Sequence, residues 1–308
     1  MKKQPDNKSL HNEGLKKLSK STLIICGIVR NCGRNLKKNI QTINQLCDLA
    51  KDYHVVMFEN DSTDNTKQIL TDWAEERKKV HVSLNDFNTV TIPEKHSVVN
   101  PIFSIHRIEK MAKYRNYYLD YIDKEKLSGD YVIIVDLDVH KIYIKGIINS
   151  FALEYEWDAL AANGISRAPS SFFRKRYYDA YALIECGQEN SPQTEYSIKA
   201  TQYKWAFLKP GMPLIRVASA FGGLAIYKRE AIANCRYGIL PNEDKTVECK
   251  TEHFFFYQQM KAREFDKIYI NPAMCVIYQT QVINTIRRFL RKILVHSVFR
   301  SHKFMVFC

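Results

Sequence analysis

Tyr131-Val132-Ile133-Ile134-Val135-Asp136-Leu137-Asp138 is a run of apolar, mostly β-branched residues that ends abruptly in two aspartates. A strand that is apolar at every position has both faces covered, as in a parallel sheet sandwiched between helices. Working outward, residues 107–122 carry helical spacing, 80–86 (VHVSLND) a short strand, and 54–60 (HVVMFEN) a second buried strand closing on a polar turn. Between that turn and 80–86, Ile69, Leu70 and Trp73 mark a helix. Before them, Leu36, Ile40, Ile43 and Leu46 form another helical stripe behind a third continuous apolar run, 22–29 (TLIICGIV). Strands alternating with helices predict βαβ units, hence an α/β, Rossmann-like fold whose mostly parallel central sheet has helices on both faces. In such sheets ligands bind beyond the carboxyl ends of the strands. RNCGRN at 30–35, ENDSTDNT at 59–66 and DLD at 136–138 all fall there.

The second half is less regular. It contains WDALAANG (157–164), the aromatic and basic FFRKRYYDAYAL (172–183), a polar stretch at 187–204, VASAFGGLAIY (217–227) and ECKTEHFFFYQQM (248–260). The organisation predicted is a basic N-terminal extension over 1–20, one globular unit over 21–280, and a basic amphipathic C-terminal helix or tail over 281–308.

Composition bounds the rest. The chain has 308 residues, 45% hydrophobic and 26% charged, with 11 Gly and 9 Pro, enough to build a core and unlike a disordered or collagenous chain. Of a formal charge of +13, residues 1–20 carry +4 and 281–308 carry +6, leaving +3 on the central 260. A nucleic-acid face spread over the domain is therefore not expected. In the tail, Ile286, Phe289, Leu290, Ile293 and Leu294 recur at helical spacing among Arg287, Arg288, Arg291 and Lys292. That pattern suits either an anionic membrane surface or docking on the chain's own domain. The longest uncharged apolar stretch, 217–227, is too short to span a bilayer, and 1–20 lacks the apolar core of a secretory signal. The expectation is a cytoplasmic protein, peripheral on the inner leaflet. Eight cysteines with no CxxC pair read as reduced, packed thiols.

Alternation places Asp136 and Asp138 on one side of a strand end, where two carboxylates repel unless a cation joins them. A hard divalent ion shared with substrate phosphates meets that need; a solvated turn is the alternative. Ser62, Thr63 and Asp64 can cap the following helix, while Glu59 can offer a carboxylate to ribose hydroxyls or a base edge. No GxGxxG or GxxxxGK[ST] occurs, which removes the usual dinucleotide and P-loop readings. Arg30-Asn31 and Arg115-Asn116 suit phosphate recognition or ordinary ion pairs. Gly222-Gly223 permits close backbone approach to a ligand, or a bulge. His253 is either a core histidine or a third metal ligand, with Glu252 beside it as a base.

As an ordered set, these residues resemble a GT-A-fold glycosyltransferase that uses a nucleotide-sugar donor. LIICGIVRNCGRNL (23–36) resembles the first strand and turn of family 2 enzymes, with Asn31 at their asparagine. FENDSTDNT (58–66) resembles their DDGSTDGT-like segment. The chain is still more similar to the capsule-associated mannosyltransferase-like family, through IVRN, the END-S-TD turn, R-I-x-x-M-A-x-x-R-N (107–116), VIIVDLD, WDALAANG, FGGLAIY and a late acid–His pair. That resemblance implies Mn²⁺ or Mg²⁺ on Asp136 and Asp138, with His253 as a further metal ligand. It implies donor contacts at Arg30, Asn31, Glu59, Asp61, Arg115, Asp136, Gly222 and Gly223, and catalytic roles for Asp138 and Glu252. Asp61 replaces a glycine of the family 2 pattern, and ECKTEH lacks its Glu-Asp pair, so inversion and retention both stay open. The function implied is transfer of mannose or another hexose to a glycan or lipid-linked acceptor in surface polysaccharide or glycoconjugate synthesis. A nucleotidyltransferase making an activated sugar, and a non-enzymatic basic binder of membrane or nucleic acid, are the alternatives. The first would need a glycine- and lysine-rich loop that CGIVRNCGRN does not supply.

Overall fold

The computed structural model describes residues 7–90, 92, 99–167 and 172–278. The patterned tail at 281–308 lies outside them. Among the described residues seven α-helices form: α1 (Asn7–Leu18), α2 (Gly33–Leu49), α3 (Thr66–Glu76), α4 (Ile105–Lys124), α5 (Ile144–Phe151), α6 (Glu195–Lys204) and α7 (Glu252–Lys261). The strands of the first half are β1 (Thr22–Val29), β2 (Asp52–Asn60), β3 (Val80–Asn85), β4 (Tyr131–Val135) and β5 (Lys141–Ile142). Those of the second are β6 (Ala159–Ser166), β7 (Arg176–Tyr177), β8 (Ile215–Arg216), β9 (Leu224–Lys228), β10 (Leu240–Pro241), β11 (Cys249–Lys250) and β12 (Ile268–Tyr278).

One sheet runs β3-β2-β1-β4-β9-β6-β12-β5. The first four strands are mutually parallel, and β6 is parallel to β12. Between these two parallel blocks, β9 runs antiparallel to both β4 and β6. β7 and β8 add short antiparallel pairings to β6 and β12, and β10 pairs with β11 apart from the sheet.

Strand alternation sorts the core into two layers. Ile24, Cys26, Val132 and Ile134 face a cluster that includes Ile108 and Tyr118 of α4, Ile198 of α6 and Phe256 of α7. Leu23, Ile25, Ile133 and Val135 face the opposite cluster, with Leu36 and Ile43 of α2, Leu70 and Trp73 of α3 and Ile147 of α5. Helices therefore cover both faces, which is why β1 and β4 are apolar at almost every position. The segment read as an N-terminal extension is helical from Asn7 and packs on α5: Leu18 is fully buried, and His11 Nδ1 lies 2.9 Å from Asn149 Oδ1. Gly14 makes that approach possible, since a Cβ there would stand 2.3 Å from the Ile148 carbonyl oxygen. Among the described residues, no helix is long and apolar enough to cross a membrane. Of the seven described cysteines all are free and all but Cys186 are buried.

Candidate active site

A cleft of about 670 Å³ opens beyond the carboxyl ends of β1, β2 and β4. Helix α4 supplies one wall: Arg107, Met111, Tyr114 and Arg115, at i, i+4, i+7 and i+8, share one face and all line it. The Ser104 hydroxyl caps this helix by accepting the Arg107 N–H.

The acid pair is fixed by its backbone. The Asp136 N–H donates to the Gly223 carbonyl at 3.0 Å, where β9 meets β4. From below, Asn39 Nδ2 donates to the carbonyls of Leu137 (2.8 Å) and Val139 (2.7 Å), and Asn35, one helical turn earlier on α2, donates to the Asp138 carbonyl at 3.0 Å. Asn39 is fully buried, so these carbonyls are satisfied where water cannot reach. Both aspartates line the cleft, Asp136 half-buried and Asp138 exposed. Burial, opposed by Arg115 and reinforced by Asp138 and Glu252, pushes the Asp136 carboxyl up to about 7.

Arg115 is 3% exposed and donates from Nε to Glu252 Oε1 at 2.9 Å, while its Nη2 stands 3.5 Å from Asp136 Oδ1. Its guanidinium lies over the Phe221 ring at 5.0 Å and the Tyr237 ring at 5.8 Å. Expected as a donor contact, Arg115 is thus also the buried counter-ion of two carboxylates. Glu252, expected as a base, is half of an ion pair at the start of α7, whose first turn Thr251 caps by accepting the Phe254 N–H. Next to it, His253 stacks on Phe221 with ring centroids 4.1 Å apart. Burial, reinforced by Arg115, keeps that imidazole neutral, and both its ring nitrogens are buried without a hydrogen-bond partner. Among the described residues no group of three His, Cys, Asp or Glu side chains stands ready to hold a metal. The two aspartates and His253 share the cleft without forming a preassembled triad.

Arg30 and Asn31 both line the cleft, Arg30 Nη2 donating to the Thr89 carbonyl at 3.3 Å. Asn31 adopts a left-handed conformation (φ 49°), and its Oδ1 accepts the Thr63 N–H at 2.8 Å, tying the first two strand-end turns together. From the ENDSTDNT turn it is Asn60 that reaches the cleft. Glu59 is wholly buried, with Oε1 accepting the Ser62 N–H at 2.7 Å. Asp61, itself left-handed (φ 53°), accepts the backbone N–H groups of Phe87 (2.6 Å), Asn88 (2.7 Å) and Thr89 (3.3 Å). Against the cost of burial, these donors with Asn60 and the Thr89 hydroxyl hold its carboxyl well below the usual range. Glu59 and Asp61 therefore secure the cleft wall from within. Gly222 likewise meets the chain's own backbone, where a Cβ would lie 2.3 Å from the Ala162 carbonyl oxygen, whereas Gly223 faces the side chains of Val276, Tyr178 and Val139; both have positive φ. Their neighbour Phe221 is the residue that faces the cleft.

Two charged cleft residues escaped sequence reasoning. Arg107 opens the R-I-x-x-M-A-x-x-R-N helix, and its i, i+8 spacing to Arg115 could have placed it. Asp179, just after β7, lines the cleft half-buried, and burial, with the charges of Asp136 and Glu252, pushes its carboxyl up to about 8. It lies in the aromatic and basic segment 172–183, whose composition suits an acceptor or ordinary packing, but no periodicity there singles out this acid. The described cleft thus gathers four carboxylates (Asp136, Asp138, Asp179, Glu252) against three guanidiniums (Arg30, Arg107, Arg115).

Several solved structures are similar to this chain at low identity. The mannosyltransferase PcManGT from Pyrobaculum calidifontis, in complex with GDP-Man and Mn²⁺, is 13% identical, with a TM-score of 0.41 over 88% of this chain and 64% of that one. TarS 1–349 of S. aureus in complex with UDP-GlcNAc is 15% identical, with a TM-score of 0.43 over 84% of this chain and 58% of that one. Glucosyl-3-phosphoglycerate synthase of M. tuberculosis is 12% identical, with a TM-score of 0.42 over 88% of this chain and 75% of that one. The chain thus spans less than two thirds of the length of the first two. No curated protein matches it. The profile of the family described as Cryptococcal mannosyltransferase 1 matches residues 22–264, from β1 past the end of α7, and the chain belongs to that family of mannosyltransferases.

Proposed function

We propose that this protein transfers a hexose, mannose or a close relative, from a nucleotide-sugar donor to a hydroxyl of a glycan or lipid-linked acceptor, with a divalent cation. The observation that carries the reading is the acid pair at the end of β4, held by Asn35, Asn39 and Gly223 at the mouth of a cleft that also presents Arg30 and Arg107. The residues fit a cation: Asp136 is pushed up to about 7 by burial and nearby carboxylates, and a positive ion relieves both. Asp136 and Asp138 would hold Mn²⁺ or Mg²⁺ together with donor phosphates, and the unpartnered imidazole of His253, which lines the same cleft, is a candidate for a further ligand. Such an ion, once bound, offsets the negative charge that develops on the departing nucleoside diphosphate.

The chain's own groups do the rest. Arg30 and Arg107 supply guanidinium forks to the diphosphate. Arg115, fixed by Glu252, orients Asp136 and keeps one positive charge under the reacting centre. Val90 and Ile92 border the opening with apolar surface against which a nucleoside can lie. The basic residues of 281–308, patterned for an interface, would bring the enzyme to the anionic leaflet that carries a lipid-linked acceptor.

The test is a thermal-shift and turnover screen of the full-length protein against GDP- and UDP-sugars with Mn²⁺. A donor that raises the melting temperature is expected to lose that effect with EDTA or in Asp138→Ala, and its transfer to fall by about 10²–10³-fold. No donor shift and no donor consumption across the panel would overturn the reading. Flotation on anionic liposomes, with and without 281–308, checks the membrane role.

A further inference from the structure

Beyond Asp138 the rim of the cleft turns basic and aromatic. Arg34 and Lys38 stand at i and i+4 on α2, both exposed, and Lys38 Nζ donates to the His140 carbonyl at 3.4 Å. Lys141 follows on β5, its Nζ 4.4 Å from the centroid of the exposed Tyr143 ring. Like charges one turn apart on a helix repel, and among the described residues none of these three cations has a carboxylate partner. Strand register carries the surface across the sheet. Lys141 pairs with Ile277 of β12, Ile277 with Ile165 of β6, and Ile165 with Tyr177 of β7, three strand spacings or about 14 Å. The chain enters β7 through FFRKR at 172–176. Phe172 is 89% exposed, and both it and Phe173 are left-handed (φ 48° and 57°), a region that bulky side chains occupy only at a cost. Lys175 Nζ donates to the Leu208 carbonyl, next to the exposed Phe207. Burial lowers the Lys175 ammonium, Cys275 opposing and the charges of Arg167 and Lys209 adding to it, so three cations share this corner.

Residues 139–153 and 164–178 contain no Asp or Glu, and the acids that border them, Asp138 and Asp179, line the cleft. Tyr278 pairs with Ser166 between the two basic arms, so the chain continues toward 281–308 from the middle of this surface. With six Lys or Arg and no acid, 281–308 is repelled by the surface and unsuited to cover it. We propose that this rim, from Arg34 and Lys141 to Phe172 and Lys175, seats the folded domain on an anionic lipid bilayer. The rings enter the headgroup layer and the cations meet lipid phosphates. Phenylalanine has no polar handle, so exposed rings among the cations favour a bilayer over a hydrated acidic glycan. The domain itself then sets the orientation, with the cleft mouth toward the lipid, and the tail adds affinity. For its use the seat rests on the transfer reading, since a lipid-linked acceptor would enter from this plane, but lipid binding itself needs no donor.

The test is co-sedimentation of the full-length protein with vesicles of phosphatidylcholine, with and without phosphatidylglycerol. The tail is neutralised as Arg287→Gln/Arg288→Gln/Arg291→Gln/Lys292→Gln. That protein is expected to bind the anionic vesicles and not the neutral ones. In this background Arg34→Gln/Lys38→Gln/Lys141→Gln should lower the partition coefficient by about 100-fold, and Phe172→Ser by about tenfold. Both variants should keep the parent's melting temperature and its thermal shift with donor in solution; should the triple variant not fold, Phe172→Ser decides. No binding by the tail-neutralised protein, or partition within threefold of the parent in the folded variants, overturns the seat and leaves glycosyl transfer standing. So does loss of binding to polygalacturonate with vesicle binding intact, which would mark an acidic-glycan site. A wild-type protein that binds vesicles as expected but neither binds nor consumes any donor overturns the transfer reading alone.

Discussion

Asn39 never touches the cleft, yet it decides where the cleft's acids stand. Its single amide nitrogen serves two carbonyls that flank Asp138, in a place closed to water. Asn39→Ala leaves both carbonyls unpaired and should cost about 2–3 kcal/mol in a denaturant titration. Because it acts through the residues proposed to hold the cation, it should also weaken Mn²⁺-dependent nucleotide binding by about 10–100-fold, read by calorimetry. Asp136 and Asp179 impose a pH dependence whose sign follows from their environment. Asp136 is raised to about 7 and Asp179 to about 8, both above the ordinary aspartate value that the unfolded chain restores. From about pH 4 upward the folded protein therefore holds more protons than the unfolded chain, and these groups' support is lost as pH rises through 7 and 8. In EDTA, Asp179→Asn should become more stable than wild type by about 1–3 kcal/mol at pH 8 and by little at pH 5. A difference between the two proteins that stays constant over that range would contradict it.

At the scale of elements, the 86–90 wall of the cleft is secured by one carboxylate. Asp61 gathers three backbone N–H groups and the Thr89 hydroxyl, whose oxygen in turn lies 2.7 Å from that of Tyr114 on α4. Asp61→Asn keeps the left-handed turn but loses the charge that draws those donors. It should cost about 1.5–3 kcal/mol and raise the donor KM more than it lowers kcat, as steady-state kinetics would show. This role explains why part of the site was illegible in the sequence. The carboxylates of the ENDSTDNT turn were expected to face a ligand because the turn lies at the right end of β2. The left-handed residue Asp61 turns them back into the chain and leaves Asn60 at the surface of the cleft. The acid pair after β4, by contrast, could be read directly: a strand buried on both faces gives an unmistakable apolar run, and alternation then fixes where its last side chains point. Gly222 and Gly223 read as places of close approach, but no pattern tells that the group approaching Gly222 is the protein's own β6 and those approaching Gly223 its own side chains.

For the molecule as a whole, the sequence shows two covered faces clearly and the second half poorly. Periodicity marks β1, β2, β4, α2, α3 and α4. It cannot tell that AFGGLAIY runs against its neighbours, because a buried strand looks alike in either direction. Nor did charge counting show that residues 7–18 belong to the fold, since a basic stretch with few apolar positions looks like a solvated extension. Leu18 and the Gly14 contact with α5 make it part of the second core layer. Leu18→Ala should cost about 2–5 kcal/mol, and removal of 1–18 should lower the melting temperature, measured by calorimetry on the truncated protein.

The antiparallel insertion of β9 has a kinetic consequence. Until Leu224–Lys228 is synthesised, β4 has a partner only on its β1 side, and Asp136 lacks the carbonyl that its N–H requires. Some ninety residues separate the two strands, so on a ribosome moving at about 5–20 residues per second the nascent chain carries a bare hydrophobic edge for roughly 5–20 s. Overexpression outpacing chaperones should therefore send this protein into aggregates through β4, and slower translation at low temperature should raise the soluble yield.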